Sequence, residues 1–150
     1  MSDVNLVKAL RDETGLSFDK IRKALDEAGG DREKALQILA SQAGDMAAKK
    51  SDREAKEGAI GSYVHTTGKV GALVLVGCET DFVARNEEFK TLARDLAMHA
   101  SAMRPADVNE MIEQQFIKNP ELQVRDVINQ AIAKLGENIQ LVQISVVALG

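Results

Sequence analysis

The hydrophobic period of this chain first changes at Gly58. Before it, apolar residues recur at helical spacing: Leu6, Val7 and Leu10 form one stripe, Phe18, Ile21, Ala24, Leu25 and Ala28 a second, and Ala35, Leu36, Ile38 and Leu39 a third. After it, residues 59–66 and 70–79 carry strand character, with Thr67-Gly68-Lys69 between them as a hairpin turn. An all-helical bundle and an all-β barrel are both excluded by that switch. The chain must be a helical module followed by a mixed layer.

The punctuation agrees with the periods. Thr14-Gly15 closes the first helix, Ser17 caps the second, and Gly29-Gly30 ends it before Asp31 caps the third. Each helix is shorter than the length that persists alone in water, so the three are expected to pack on one another as a module over 1–43. Residues 47–57 are rich in helix formers and mixed charge but show no apolar stripe; 44–57 is read as a solvated, charged helical joint.

In the remainder, 58–150, the run from Val70 to Cys78 is apolar at nearly every position, which predicts a central strand covered on both faces. Helical spacing returns at Phe89, Leu92, Ala93, Leu96, Ala97 and Ala100 until Arg104-Pro105 stops it. A weak helix over 106–117, a turn at Asn119-Pro120 and a helix over 122–135 follow. The last run, 139–149, places Val142, Ile144, Val146 and Ala148 on one face of a third strand. The fold class expected is α+β: three helices, then a small antiparallel sheet of about three strands covered by helices.

Composition removes several functions. The 150 residues hold 19 Lys and Arg against 23 Asp and Glu, a formal charge of -4, so the summed positive field of a general nucleic-acid binder is absent. One cysteine, Cys78, permits no internal disulfide, and it reads as a small buried hydrophobe. The two histidines, His65 and His99, are too far apart in sequence to give metal-ligand spacing, so neither metal nor cofactor is expected. Gly61 to Lys69 fails as a phosphate loop: the glycines are wrongly spaced, and Val70 follows the lysine where a Ser or Thr would hold magnesium. The N-terminus has no basic segment leading an apolar run, and the apolar stretch 70–76 is too short to span a bilayer, so a cytoplasmic protein without membrane contact is expected.

The most informative segment joins the covered strand to the long helix: Glu79-Thr80-Asp81-Phe82-Val83-Ala84-Arg85-Asn86. Asn86 is a good helix cap, which leaves Phe82 outside the helix in a surface connection, in a chain with only four Phe, one Tyr and no Trp. Taken alone, the residues allow two readings: a loop aromatic folded back as a core plug, or an aromatic held out for a partner.

Thr80-Asp-Phe-Val-Ala-Arg-Asn86 resembles the signature of the bacterial elongation factor Ts family. Leu6-Val-Lys-Ala-Leu-Arg11 with Thr14-Gly15 and Lys23-Ala-Leu25 is similar to that family's N-terminal ubiquitin-associated-like module. Gly61-Ser-Tyr-Val-His65, Lys69-Val-Gly-Ala-Leu-Val74 and Lys134-Leu-Gly-Glu-Asn-Ile139 resemble its core segments, in the family's order. The resemblance is to a short form. It is further trimmed between Pro105 and Val124, without a duplicated core half, and Leu16-Ser-Phe-Asp-Lys-Ile21 departs from the usual opening of the second helix.

The resemblance implies a non-enzymatic guanine-nucleotide exchange factor that binds elongation factor Tu in its GDP-bound and nucleotide-free forms. It implies that Thr80, Asp81, Phe82 and Val83 enter the partner near its magnesium site, with Arg85 and Asn86 beside them. It implies further contacts at His65 and Leu135, and a patch of Leu6, Val7, Lys8, Arg11 and Gly15 on the first module. For His65 the competing reading is a single local hydrogen bond; for Leu6, Val7 and Leu10 it is core packing. In long relatives the Thr-Asp-Phe and Ser-Tyr-x-His segments lie in different halves of a duplicated core. A homodimer built through the three-stranded core is therefore expected, two copies rebuilding the pair. Two other classes remain at this point: a ubiquitin-associated-type binding module with an unrelated second domain, and a small enzyme using Asp81 and His65 as an acid/base pair.

Overall fold

The computed structural model describes residues 3–150; Met1 and Ser2, which open the segment read above for a secretory signal, lie outside the described residues. Helices α1 (Val4–Thr14), α2 (Phe18–Glu27) and α3 (Arg32–Lys50) begin at Asp3, Ser17 and Asp31, each of which accepts a backbone N–H of the first turn through its side chain. Gly15 ends α1 in the left-handed region, φ 70°, and its N–H closes on the Arg11 carbonyl. Val7, Leu10, Leu16, Ile21, Ala24, Leu25, Ala35 and Leu39 make one continuous buried cluster. Phe18, counted in the second stripe, is instead 43% exposed, because it begins α2 and points off the end of that cluster.

Helix α3 does not stop where the apolar stripe fades. It continues to Lys50, since Ala43 is buried and Met46 and Ala47 pack against the core of the sheet layer. The first half of the joint is thus the end of a 19-residue helix. It lies along α7 (Val124–Leu135), and Lys50 Nζ donates to the Gly136 carbonyl at 2.5 Å.

The second layer is a three-stranded antiparallel sheet in the order β1-β2-β5, from β1 (Glu57–Val64), β2 (Val70–Cys78) and β5 (Gln140–Ala148). Ala72, Val74, Val76 and Cys78 face the helices and are buried, as period 2 demands. The central helix of this layer, α5 (Glu87–Met103), lies close over β1. Its approach explains Gly61, where a Cβ would sit 2.2 Å from the Ala93 carbonyl oxygen. On its inner face Phe89, Leu96, Ala97 and Ala100 are fully buried, and burying a side chain the size of Phe89 or Leu96 stabilises by about 1.5–3 kcal/mol.

Three expectations need correction. Strand β2 is central but covered on one face only: Leu73 is 52% exposed, and with Ile60, Val64 and Val147 it forms an open apolar face. Val142 does not share the inner face with Ile144 and Val146, because the β2–β5 register shifts at Leu75/Val76, placing Leu141 inside and Val142 out. The weak helix shrinks to α6 (Val108–Glu113), followed by a small hairpin of β3 (Gln115–Phe116) and β4 (Asn119–Gln123), before α7 (Val124–Leu135). Gln114 is already extended, and its carbonyl accepts from Val124 N at 2.9 Å, which closes the hairpin base.

Candidate functional site

The residues singled out above lie at two separate ends of the sheet. At one end β2 runs out into Glu79 and Thr80. Thr80 caps a single-turn helix, α4 (Asp81–Ala84), and its hydroxyl oxygen accepts Val83 N at 3.4 Å. Val83 turns inward and is buried, joining the core with Phe89 and Leu92. Its side chain anchors the turn to the core within the chain. The anchor leaves Phe82 pointing away, 80% exposed, and the alternative of a core plug is removed. Arg85 donates to the Asp81 carboxylate at 3.0 Å, an exposed i,i+4 pair of small energy, so the Asp81 charge is available at little cost. Asn86 accepts Glu88 N at 2.8 Å and starts α5.

What holds this turn is Glu137, a residue the pattern of the sequence did not single out. Its Oε1 accepts the backbone N–H of Glu79 and of Thr80, both at 3.0 Å, and its Oε2 accepts the Thr80 hydroxyl at 2.6 Å. The favour is returned across the gap. Glu79 Oε2 accepts Asn138 N at 2.7 Å, and Asn138 Nδ2 donates to the Arg53 carbonyl at 2.7 Å. Two connections, β2 to α4 and α7 to β5, are thereby crossed and tied by carboxylate to amide bonds, the strong kind. Cys78 lies under the same knot, fully buried, and donates to the Thr80 carbonyl. Burial first, and then the Glu137 charge, push its thiol up to about 11, so it is inert at neutral pH.

Leu135, half-buried at the end of α7, belongs to this end of the molecule. It lines a cleft of about 640 Å³ with the last turn of α1 and the first turns of α5. Lys134 reaches across the cleft to Glu88 at 2.8 Å, and Gly15, in the left-handed region at φ 70°, sits over the end of the Lys134 side chain. On the first module Val7 is buried and Leu6 half-buried in the helical core, so the packing reading holds for Val7; Lys8 and Arg11 are exposed on one face of α1 with Val4.

His65 is not part of this group. It sits at the β1–β2 hairpin, where its Nδ1 faces Thr67 Oγ1 at 2.9 Å and accepts Thr67 N at 3.2 Å. The nine residues of β2 separate it from Thr80, about 30 Å at the usual strand rise. Asp81 and His65 of one chain therefore cannot act as an acid/base pair, which removes that enzyme reading. Among the described residues no helix is long and apolar enough to cross a membrane.

Comparison with known proteins covers both layers. The family described as elongation factor TS matches residues 79–149. The chain is 39% identical to the elongation factor Ts of Thermosipho melanesiensis, over 94% of this chain and 95% of that protein. It is 37% identical to that of Carboxydothermus hydrogenoformans, over 91% and 83%, and 37% identical to that of Geobacter metallireducens, over 96% and 88%. A likeness of this extent excludes a binding module with an unrelated second domain. These alignments run over 181 to 189 positions against 150 residues here, so the relatives carry residues that this chain lacks.

Proposed function

This chain belongs to the elongation factor Ts family, and from that premise we propose that it binds elongation factor Tu and promotes release of GDP, without being an enzyme itself. The observation that carries the reading is Phe82: an aromatic side chain 80% exposed on a one-turn helix whose backbone is fixed from below by Val83 and from the side by Glu137. Held out and pre-ordered, it loses little entropy on insertion, so most of its burial energy is available for binding.

A GTPase holds its nucleotide through loop amides and a magnesium ion that bridges protein and phosphate oxygens. Phe82 acts as an apolar wedge beside that site. Asp81, released from its surface pair with Arg85, brings a negative charge that competes for the magnesium ligation. Thr80 and Val83 position this pair, and Arg85 and Asn86 border it. By linkage, whatever affinity the factor removes from the nucleotide, the nucleotide removes from the factor; the factor speeds exchange and does not choose which nucleotide wins. Module 1–43 supplies an outer contact through Lys8 and Arg11, with Leu6 and Gly15 shaping that surface and Leu135 flanking it.

The chain works as a homodimer. Ile60, Val64, Leu73, Val142 and Val147 are exposed on the side of the sheet turned away from the helices, with the half-buried Leu75 among them, an apolar face that a second copy covers. Pairing two sheets end for end brings His65 of one copy toward the Phe82 turn of the other, which one chain separates by about 30 Å.

The test is release of a fluorescent GDP analogue from elongation factor Tu with and without the intact chain. Acceleration is expected; an unchanged release rate at saturating factor refutes the exchange reading.

A further inference from the structure

The helical module and the sheet layer meet along one helix pair. Ala43 of α3 is buried, Met46 and Ala47 pack on the core of the sheet layer, and in return Ala133 of α7 packs against the buried cluster of the module. Two helices in contact along a line resist separation, and a roll about that line is the soft motion left to them. Such a roll swings α1, with Lys8 and Arg11, toward or away from α5 and the Phe82 turn. The gap it opens and closes is the cleft of about 640 Å³.

The charges on the walls of that cleft oppose closure. Asp12 and Glu13 line it from the last turn of α1, Glu87 and Glu88 from the first turn of α5. Arg32 offsets Glu13 and Lys90 offsets Glu87, at 3.8 Å, whereas Asp12 enters no ion pair among the described residues. Lys118, also in the cleft, pairs with Asp95 of α5 at 3.2 Å and so stays within the sheet layer. Lys134 is the cation placed between the walls. Its Nζ pairs with Glu88 Oε1 at 2.8 Å while the end of the same side chain lies beside Gly15, at the C-terminus of α1. That is the negative end of the helix, so one ammonium attracts both walls. An ion pair that is partly exposed adds little to global stability, but little is needed to hold a roll that packing leaves free.

We propose that Lys134 is a positioning residue for nucleotide exchange: it draws α1 onto the sheet layer and fixes the spacing between the contact patch of the module and the Phe82 wedge. The inference rests on the exchange reading. Two contacts held at a fixed spacing engage one partner as a bivalent ligand. Once the first has docked, the second is presented at high effective concentration, and a looser roll lowers that concentration while both contacts remain intact.

The experiment joins two measurements on the full chain, on Lys134→Glu and on the charge-swapped Lys134→Glu/Glu88→Lys. One is amide nitrogen-15 relaxation of the free protein; the other is the factor-concentration dependence of fluorescent GDP release from elongation factor Tu. In the parent, amides of α1 and of β2 are expected to share one tumbling time. In Lys134→Glu the α1 amides should tumble faster than those of β2, the half-saturating concentration should rise about fivefold, and the melting temperature should stay within about 2 °C of the parent. The charge swap should restore most of both effects, because it rebuilds the pair across the cleft. Parent-like tumbling and half-saturation in Lys134→Glu overturn the positioning role and leave the exchange reading intact. A raised half-saturation with parent-like tumbling, not restored by the swap, shows that Lys134 meets the partner directly and also overturns it. Absence of acceleration by the parent chain overturns the exchange reading and the positioning role with it.

Discussion

Replacing Glu137 by alanine removes three acceptor contacts at once, and the structure allows the cost to be worked out contact by contact. A hydrogen bond to a charged group contributes about 1.5–3 kcal/mol when water cannot replace it. The bond from Glu79 N is partly buried and keeps most of that, whereas the two from Thr80 are exposed and water recovers much of their value. Glu137→Ala should therefore cost about 2 kcal/mol, a fall of about 4–8 °C in melting temperature for a chain of this size. Glu137→Gln keeps one acceptor oxygen for the Glu79 and Thr80 amides but loses the charge and puts an NH2 where Oε2 accepted the Thr80 hydroxyl, so about half that loss is expected.

The global fold tolerates this, but the turn does not. With ordinary domain stability of about 5–15 kcal/mol the alanine variant remains almost wholly folded at 25 °C. Loosening the turn by about 1–2 kcal/mol still lowers exchange efficiency by about 5- to 30-fold. Urea denaturation measures the first effect and fluorescent GDP release from elongation factor Tu the second. A third readout reports the electrostatics: the Glu137 charge raises the Cys78 thiol, so its removal lowers that pKa, read by titrating the thiolate absorbance of the folded protein. If Glu137→Ala loses about 2 kcal/mol yet exchanges within about twofold of the parent, Glu137 is a structural tie only and the positioning argument is wrong.

Four further outcomes follow from other parts of the molecule. Gly61→Ala forces a Cβ to 2.2 Å from the Ala93 carbonyl, so β1 and α5 must separate; a loss of about 1–3 kcal/mol in urea denaturation is expected. His99 is fully buried, with Nε2 donating to Gln114 Oε1 at 2.9 Å and Nδ1 accepting Ile117 N at 3.2 Å, and burial holds its pKa below the ordinary 6.5. The unfolded chain protonates first, so stability at neutral pH falls as pH drops below 6.5, and denaturation curves of His99→Asn should lose that slope. Cys78 gives the opposite window: a raised thiol stabilises below pH 9.0 and that contribution fades as pH rises toward about 11, a loss that Cys78→Ala should not show. Leu73→Glu places a charge in the middle of the open sheet face, and light scattering should then report the mass of one chain where the parent gives two.

Much of the fold was legible because its signals are local. Ser17, Asp31 and Asn86 each accept an N–H of the turn they begin, as their places in the sequence led one to expect, and capping needs only neighbouring residues. That Phe82 lies in the connection before α5 was visible for the same reason, since Asn86 fixed where α5 begins, but its exposure was not, because a core plug and a side chain held out read alike. What escaped reading depends on contacts distant in sequence. Glu137 lies 58 residues from Glu79, and nothing in its own segment says that its carboxylate turns back onto that backbone. Val83 looked equal to its neighbours until α5 and α7 supplied the core that buries it. Strands of two and five residues at 115–123 are too short to show a period of two. The register shift beside Leu75 moves Val142 to the open face without any local mark, because a bulge is set by the partner strand.

The most direct test of the whole account is Phe82→Ala, measured by maximal rate of fluorescent GDP release from elongation factor Tu at saturating factor. Because the side chain is 80% exposed, its removal should leave the melting temperature within about 1 °C of the parent, as for ordinary surface substitutions. The account predicts a maximal rate reduced by at least about tenfold, the loss of roughly 1.4 kcal/mol of wedge energy, in a variant that still binds its partner. A variant that folds, binds and releases GDP as fast as the parent contradicts it.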